Sequence, residues 1–228
     1  MKLRILITAG PTKEYIDPVR FISNSSTGFF GYQIASEAAR RGHKVTLVSG
    51  PTCLTPPKGV KFVPVVSALE MKKAVEKHFP ASDCLIMSAA VADYRPAAVF
   101  PRKIKKGKDR LVLRLKRNPD ILSLVSQKKE GRVVIGFAVE TADLKKNAKK
   151  KLKEKSLDYI IAAPLNNKRS PFGNRKVPVS IISGTGKAEA LFSHKKNLSR
   201  IILDKAEAAK YHYNTGKIQK RKGDIHHD

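Results

Sequence analysis

The chain has 228 residues, 46 of them Lys or Arg and 19 Asp or Glu, for a formal net charge of +27. Hydrophobic residues make up 41% and charged ones 29%, which is enough apolar material for a core; the longest strongly apolar stretch, Cys84 to Ala92, falls short of the roughly 20 residues a bilayer helix needs, so no membrane span is expected. Met1 to Ile7 is too short for a secretory signal core, and the 2 cysteines, Cys53 and Cys84, form neither a disulfide framework nor a zinc or redox spacing, so reduced thiols and a cytoplasmic protein are the expectation.

Leu3 to Thr8 reads as a buried strand, broken by Ala9-Gly10-Pro11-Thr12. A polar loop is expected through Ser23 and Asn24. Ser25-Ser26-Thr27-Gly28 then leads into a helical pattern through Phe30, Ile34, Ala35, Ala38 and Ala39, with Gly42 in the C′ position behind Arg40 and Arg41. Val45 to Val48 is a second strand, ended by Gly50-Pro51, and Phe62 to Val66 a short third. Ser67-Ala68-Leu69-Glu70 is a capping box that opens a helix to about Phe79. Cys84 to Ser88 is a fourth strand, and the alternation of strands and helices at this spacing predicts parallel βαβ units.

In the second half a charged loop, Lys103 to Arg110, precedes a short alternating strand over Leu111 to Leu115. Asn118-Pro119-Asp120 predicts a helix start with Pro119 at the first helical position. Val133 to Phe137 and Tyr159 to Ile161 read as strands on either side of a very basic helix from Asp143 to about Lys155. Val179 to Ser183 and Ala188 to Phe192 predict a hairpin around Gly184-Thr185-Gly186, adding strands at one edge or building a dimer contact. A last helix runs through Ile201, Leu203, Ala206 and Ala209. The sum is an α/β fold: a three-layer, doubly wound, Rossmann-like, mainly parallel sheet with a small C-terminal β-hairpin extension. A single domain is expected over 1–211, with a polar, disordered tail over 212–228.

Open parallel sheets bind ligands at the carboxyl ends of their strands. The segment Ala9 to Gly28 has that location and ends at a helix N-terminus, where free N–H groups and the helix dipole favour an anion. Gly10, Ser25, Ser26, Thr27 and Gly28 are therefore phosphate-binding candidates, although an ordinary serine cap accounts for the segment equally well. There is no G-x-G-x-x-G or Walker A pattern, which weakens the dinucleotide and P-loop readings. In Ser88-Ala89-Ala90-Val91-Ala92-Asp93, small residues lead from a strand to a carboxylate that could accept hydrogen bonds from a flat ligand; a turn capped by Asp93 is the simpler alternative. Lys103-Ile104-Lys105-Lys106-Gly107-Lys108 could bring ammonium groups over a triphosphate, or be a solvated loop. Phe137, at a strand end, could stack on a base or fill the core. His43, His78, His194 and His212 are scattered and His226-His227 lies in the tail, so no metal-ligating spacing occurs. No catalytic triad and no RNP or zinc-finger pattern occurs either.

Taken together, Ile7-Thr8-Ala9-Gly10-Pro11-Thr12, the run Ile16 to Gly28 (IDPVRFISNSSTG), Ala89-Ala90-Val91-Ala92-Asp93-Tyr94, Lys103-Ile104-Lys105-Lys106, Asn118-Pro119-Asp120-Ile121 and Gly136-Phe137-Ala138-Val139-Glu140-Thr141 resemble phosphopantothenate–cysteine ligase (phosphopantothenoylcysteine synthetase). The motifs stand in the family's order and span most of Met1 to Pro164; Thr27 replaces the usual serine and keeps its hydroxyl. The resemblance implies a coenzyme A biosynthesis ligase that joins 4′-phosphopantothenate to L-cysteine through an acyl-cytidylate, with CTP as co-substrate, Mg²⁺, and release of pyrophosphate and CMP. ATP is the nucleotide of eukaryotic relatives. It also implies a homodimer and a free-standing form without the decarboxylase domain that many bacterial members carry. By this likeness Asn24 handles the acyl-nucleotide intermediate and Lys103 serves its formation. Ala89, Asp93, Lys103, Lys106, Pro119, Asp120, Ile121, Leu122, Phe137, Lys151 and Lys155 match positions around the nucleotide. Two rival classes are a basic nucleic-acid-binding module without ligase activity, in which nucleic acid is held as a nonspecific charge effect, and an NAD(P) or nucleotide-sugar oxidoreductase.

Overall fold

In the computed structural model, which describes residues 1–107, 110–166 and 170–216, the chain runs through β1 (Arg4–Ala9), a hairpin of β2 (Lys13–Tyr15) and β3 (Phe21–Ser23), α1 (Phe29–Arg40), β4 (Lys44–Ser49), β5 (Val60–Pro64), α2 (Ala68–His78) and β6 (Cys84–Met87). It continues through β7 (Tyr94–Pro96), β8 (Leu115–Arg117), α3 (Ile121–Ser126), β9 (Val133–Glu140), α4 (Leu144–Glu154), β10 (Tyr159–Pro164), β11 (Val177–Ser183), β12 (Ala188–Ser193) and α5 (Lys195–Asn214).

Eight strands form one sheet in the order β12-β11-β10-β9-β6-β1-β4-β5. From β10 to β5 every pairing is parallel, and β11 and β12 join antiparallel at the edge. Strands β1, β6 and β9 are buried on both faces, which is why they read as apolar runs instead of alternations. Along β1, Ile5 and Ile7 pack toward α1 and α5, while Leu6 packs toward α2, α3 and α4. Helices thus cover both faces, and the architecture is three-layered as expected. The chain leaves β1 toward β4 and β5 and returns to the other side of β1 with β6, so the strand order reverses between β1 and β6. Such a reversal opens a crevice outside the carboxyl ends of the two strands.

Four details differ from the expectations. The polar loop before Asn24 contains the β2–β3 hairpin, in which Tyr15 pairs with Phe21 and their rings meet edge-on at 5.6 Å. The strand expected over Leu111 to Leu115 begins at Leu115, where β8 finds β7 as a partner; Val112 is 83% exposed, and alternation without a partner does not make a strand. Pro119 lies before α3, because Asp120 is its N-cap and accepts a hydrogen bond from Ser123 N (3.0 Å). Helix α5 runs past His212 to Asn214, held by Tyr213, whose hydroxyl donates to Asp158 (2.7 Å). Lys108 and residues 217–228, including His226-His227, lie outside the described residues.

Candidate functional site

The crevice between β1 and β6 is built by short, small-residue segments. Gly28, at φ 76°, is the N-cap of α1, and a Cβ there would come within 2.7 Å of Thr52 Cγ2 and 3.2 Å of the Gly10 backbone. Only a glycine pair lets the N-terminus of α1 settle this closely on the turn after β1. Gly10 accordingly lies under Gly28 as a packing residue.

The loop after β6 is fastened to β1 and its extension. Ala90 N donates to Gly10 O (2.9 Å) and Thr12 N to Ala90 O (3.3 Å), and Pro11 bridges to Ala90. Two fully buried hydroxyls complete the join: Thr8 accepts from Ala89 N (3.1 Å) and Thr12 from Ala92 N (3.0 Å). Asn24 Nδ2 donates to Ala90 O (3.0 Å). The segments Ala9–Gly28 and Ser88–Asp93, singled out separately in the sequence, are therefore joined in one structure.

Two adjoining cavities open there. One, of about 350 Å³, is lined by Ala89, Asp93, Pro119, Asp120, Ile121, Leu122, Phe137, Lys151 and Lys155, with Met87, Val91, Ala92, Tyr94, Arg117 and Asn118. The other, of about 570 Å³, takes in Asn24, Ser25, Ser26, Thr27 and Gly28 at one end, and Phe30, Glu140, Ile161, Phe172, Val177 and Lys195 along its walls. Ala89, Val91, Asp93, Phe137 and Lys151 line both. Phe137 is half-buried and meets Phe30 edge-on at 5.3 Å, so it packs and faces ligand space at once. Near the α1 cap, Ser26 accepts from Gly28 N (3.3 Å) and Thr27 from Phe29 N (3.4 Å), while Ser25 and Thr27 are exposed.

Charge in the first cavity is arranged by α3 and α4. Asp120, the α3 cap, pairs with Lys155 at 2.6 Å. Burial raises the Asp120 carboxyl, but Lys155 and the Ser123 N–H outweigh it and hold its pKa below the usual range. Lys151 donates to Phe137 O (2.9 Å), and burial, with Lys155 nearby, pushes its pKa down. Lys103 and Lys106 are exposed and line neither cavity. Among the described residues, no group of three or more His, Cys, Asp or Glu side chains gathers at metal-ligating distance.

Two residues that line these cavities were not among the site candidates: Asn118, quoted only within its motif, and Lys195. Asn118 donates to Ala92 O (2.8 Å), accepts from Arg95 (2.7 Å) and, through its backbone N–H, donates to Asp93 O (2.7 Å), so it fixes the Ala89–Asp93 loop against β8. Its Asn-Pro-Asp motif was the available signal. Lys195, 2% exposed, donates to Pro171 O (2.7 Å) and Gly173 O, under the rings of Phe29 and Phe30. Burial and Arg175 push its pKa down to about 8. No local pattern marks it, because its partners come from distant parts of the chain.

Fold and cleft together define an α/β domain with a cleft at the switch point of a mainly parallel sheet, the place where open sheets of this kind take their ligands. The chain belongs to the family described as the DNA/pantothenate metabolism flavoprotein C-terminal domain, which matches residues 1–209. It is 44% identical over 206 residues to the coenzyme A biosynthesis bifunctional protein CoaBC of Bacillus subtilis, covering 90% of this chain and 51% of that protein. Against the protein of the same name from Escherichia coli K12 the identity is 43%, covering 89% and 51%. The chain thus spans about half the length of the curated relatives it matches. A crystal structure of the C-terminal domain of a CoaBC protein superposes with a TM-score of 0.77 at 41% identity, covering 90% of this chain and 94% of that one.

Proposed function

We propose that the protein is a phosphopantothenate–cysteine ligase of coenzyme A biosynthesis that uses CTP, with ATP the alternative nucleotide. The observation that carries this reading is the pair of cavities with one common wall. A two-step ligase needs two substrates to meet at one point, and Ala89, Asp93, Phe137 and Lys151 stand where that point would be.

On this reading the nucleotide occupies the first cavity, between Ala89–Asp93 and the start of α3. Its phosphates lie toward Lys151 and Lys155, and Lys103 and Lys106 come to them from the neighbouring segment. 4′-Phosphopantothenate occupies the second cavity, with its phosphate on the α1 N-terminus at Ser25 to Gly28 and its pantothenoyl arm along the apolar wall. Its carboxylate oxygen attacks the α-phosphorus; the bond to pyrophosphate breaks and pyrophosphate leaves with the electron pair. The amine of L-cysteine then attacks the activated carbonyl carbon, losing a proton as CMP departs. Splitting the reaction this way replaces a poor leaving oxide by a good one. Lys103 offsets charge on the phosphates in the first step, and the Asn24 amide, released from Ala90 O, donates to the carbonyl oxygen in the second. Asp93 and Asp120, the latter paired with Lys155, are the carboxylates that line this cavity and would face a magnesium ion brought in on the triphosphate, which would supply charge neutralisation there.

A homodimer is part of the proposal. Tyr15 and Phe21 on the first hairpin, Tyr94 and Leu115 on β7–β8, and Val99, Phe100 and Val112 between them are exposed large hydrophobics. Such a patch suits a second copy of the chain, and sedimentation at micromolar concentration tests it. A cytoplasmic location is likewise proposed; no helix among the described residues is long and apolar enough to cross a membrane.

The deciding assay is pyrophosphate release from 4′-phosphopantothenate and Mg²⁺ with CTP or ATP, with and without cysteine. Release with CTP followed by a cysteine-dependent product supports both the ligase reaction and the nucleotide. Release with ATP alone overturns the nucleotide, and no release from folded protein overturns the ligase.

A further inference from the structure

The Ile16-Asp17-Pro18-Val19-Arg20 run has no part in the chemistry above, yet Asp17 is a fully buried carboxylate. Its two oxygens do different work. Oδ1 accepts from Val19 N and Arg20 N, both at 2.8 Å, and closes the turn between β2 and β3. Oδ2 accepts from Ile104 N at 3.1 Å, across a long stretch of chain. The neighbouring Arg20 guanidinium, 3.7 Å from the same Oδ2, donates to Ile104 O at 2.6 Å. Both backbone groups of Ile104 are therefore held from one turn, while the side chains of Lys103 and Lys105 on either side are exposed. Burial raises the Asp17 carboxyl, but the three N–H donors and Arg20 outweigh it, so the pKa lies below the ordinary range and the group stays an anion at neutral pH.

The frame that carries this turn is fixed at its other end. Buried Glu14 accepts from Ala68 N (2.9 Å), the first N–H of α2, and Lys13 N donates to Val66 O (2.9 Å). Ser23 Oγ donates to Thr12 O (2.7 Å), and the next residue is Asn24. The hairpin thus carries Asn24 at one end and grips the neighbour of Lys103 at the other.

We propose that Asp17 is a positioning residue: by holding the Ile104 backbone it sets the place from which Lys103 reaches the nucleotide phosphates. The proposal rests on the ligase reading. A displacement of about 1 Å in a charged group can cost on the order of a hundredfold in rate, so a backbone tether one residue from the ammonium is a strong lever.

Asp17→Asn separates the two roles. Its Oδ1 still closes the turn, but an NH₂ group now faces the Ile104 N–H, donor against donor. The expected result is a cooperative melting curve with a lowered midpoint, at least about tenfold faster tryptic cleavage after Arg102 and Lys103, and pyrophosphate release per folded molecule lowered at least about tenfold in kcat with KM for CTP within about twofold. In the double variant with Lys103→Gln the loss should not exceed that of Lys103→Gln alone, since both act through one group. If Asp17→Asn fails to fold, Ile104→Pro removes the same hydrogen bond from the donor side and leaves the turn intact; its readouts are pyrophosphate release and tryptic cleavage after Arg102 alone, because trypsin does not cut a Lys–Pro bond. Faster cleavage with wild-type pyrophosphate release overturns the positioning role, as do losses that multiply in the double variant. If the wild type releases no pyrophosphate with either nucleotide, the ligase reading falls and takes the Lys103 role with it; the cleavage rates then decide the Asp17 tether alone.

Discussion

The two ends of the sheet use polar residues in opposite ways. At the amino end they are spent on one another. Asp158 accepts from Val134 N (2.7 Å), Lys129 (2.9 Å) and Tyr213 (2.7 Å). Asp83 takes the Arg4 backbone N–H and its guanidinium, and His43 accepts from Leu3 N (3.1 Å) and meets Glu207 at 2.9 Å. At the carboxyl end the buried threonines Thr8 and Thr12 hold the backbone, while Asp93, Ser25 and Thr27 face outward along the cleft. One end is closed by internal pairing; the other leaves Asp93, Ser25 and Thr27 exposed along the cleft.

This contrast can be broken by variants, and the largest effect is expected at the closed end. Asp158→Ala strands three donors and should cost about 3–4 kcal/mol in urea unfolding, with pyrophosphate release per folded molecule unchanged. At the open end the pattern should invert. Lys103→Gln should lower pyrophosphate release about a hundredfold, equivalent to about 2.7 kcal/mol of barrier, with the unfolding midpoint unmoved. Asn24→Ala should slow amide formation by about ten- to thirtyfold, more than it slows pyrophosphate release, so that quench-flow detects accumulated intermediate. Gly28→Ala sharpens the boundary: the positive φ and the contact with Thr52 should cost about 1–2 kcal/mol, and weaken phosphate-ester binding as well.

The smallest effect concerns acid. The Arg40 hydrogen bond, opposed by burial and aided by Arg41, lowers the Glu37 carboxyl from 4.5 to about 2. A carboxyl with a depressed folded pKa stabilises above its unfolded value, and that contribution fades as pH falls from about 4.5 toward 2. Glu37→Gln should flatten the acid limb of a stability–pH curve in that window and leave the cleft's activity profile unchanged.

Legibility followed the range of the interactions. The parallel half was readable because β1, β4 and β6 are apolar runs and α2 carries its own cap, Ser67, which accepts from Glu70 N (3.2 Å). The β2–β3 hairpin was hidden because each strand has only 3 residues and its pairing is announced by a single aromatic couple. Leu111 to Leu115 misled because alternation says nothing about whether a partner strand is within reach. At the site, the small-residue loops and Asn24 stood out in the sequence, since close backbone approach demands those residue types. Lys195 did not, because only the closed sheet brings α5 to the mouth of the second cavity.

The reversal of strand order also sets a timetable for synthesis. Strand β1 is central, yet its neighbour β6 lies far downstream, across α1, β4, β5 and α2. At about 5–20 residues per second, a ribosome leaves β1 without that neighbour for on the order of ten seconds. During this interval Ile5, Leu6 and Ile7 have only one side of their backbone ladder to pair, and the crevice between β1 and β6 cannot exist. A nascent chain stalled before Cys84 should therefore leave the β1 segment open to proteolysis, and protection should appear once Met87 has cleared the exit tunnel.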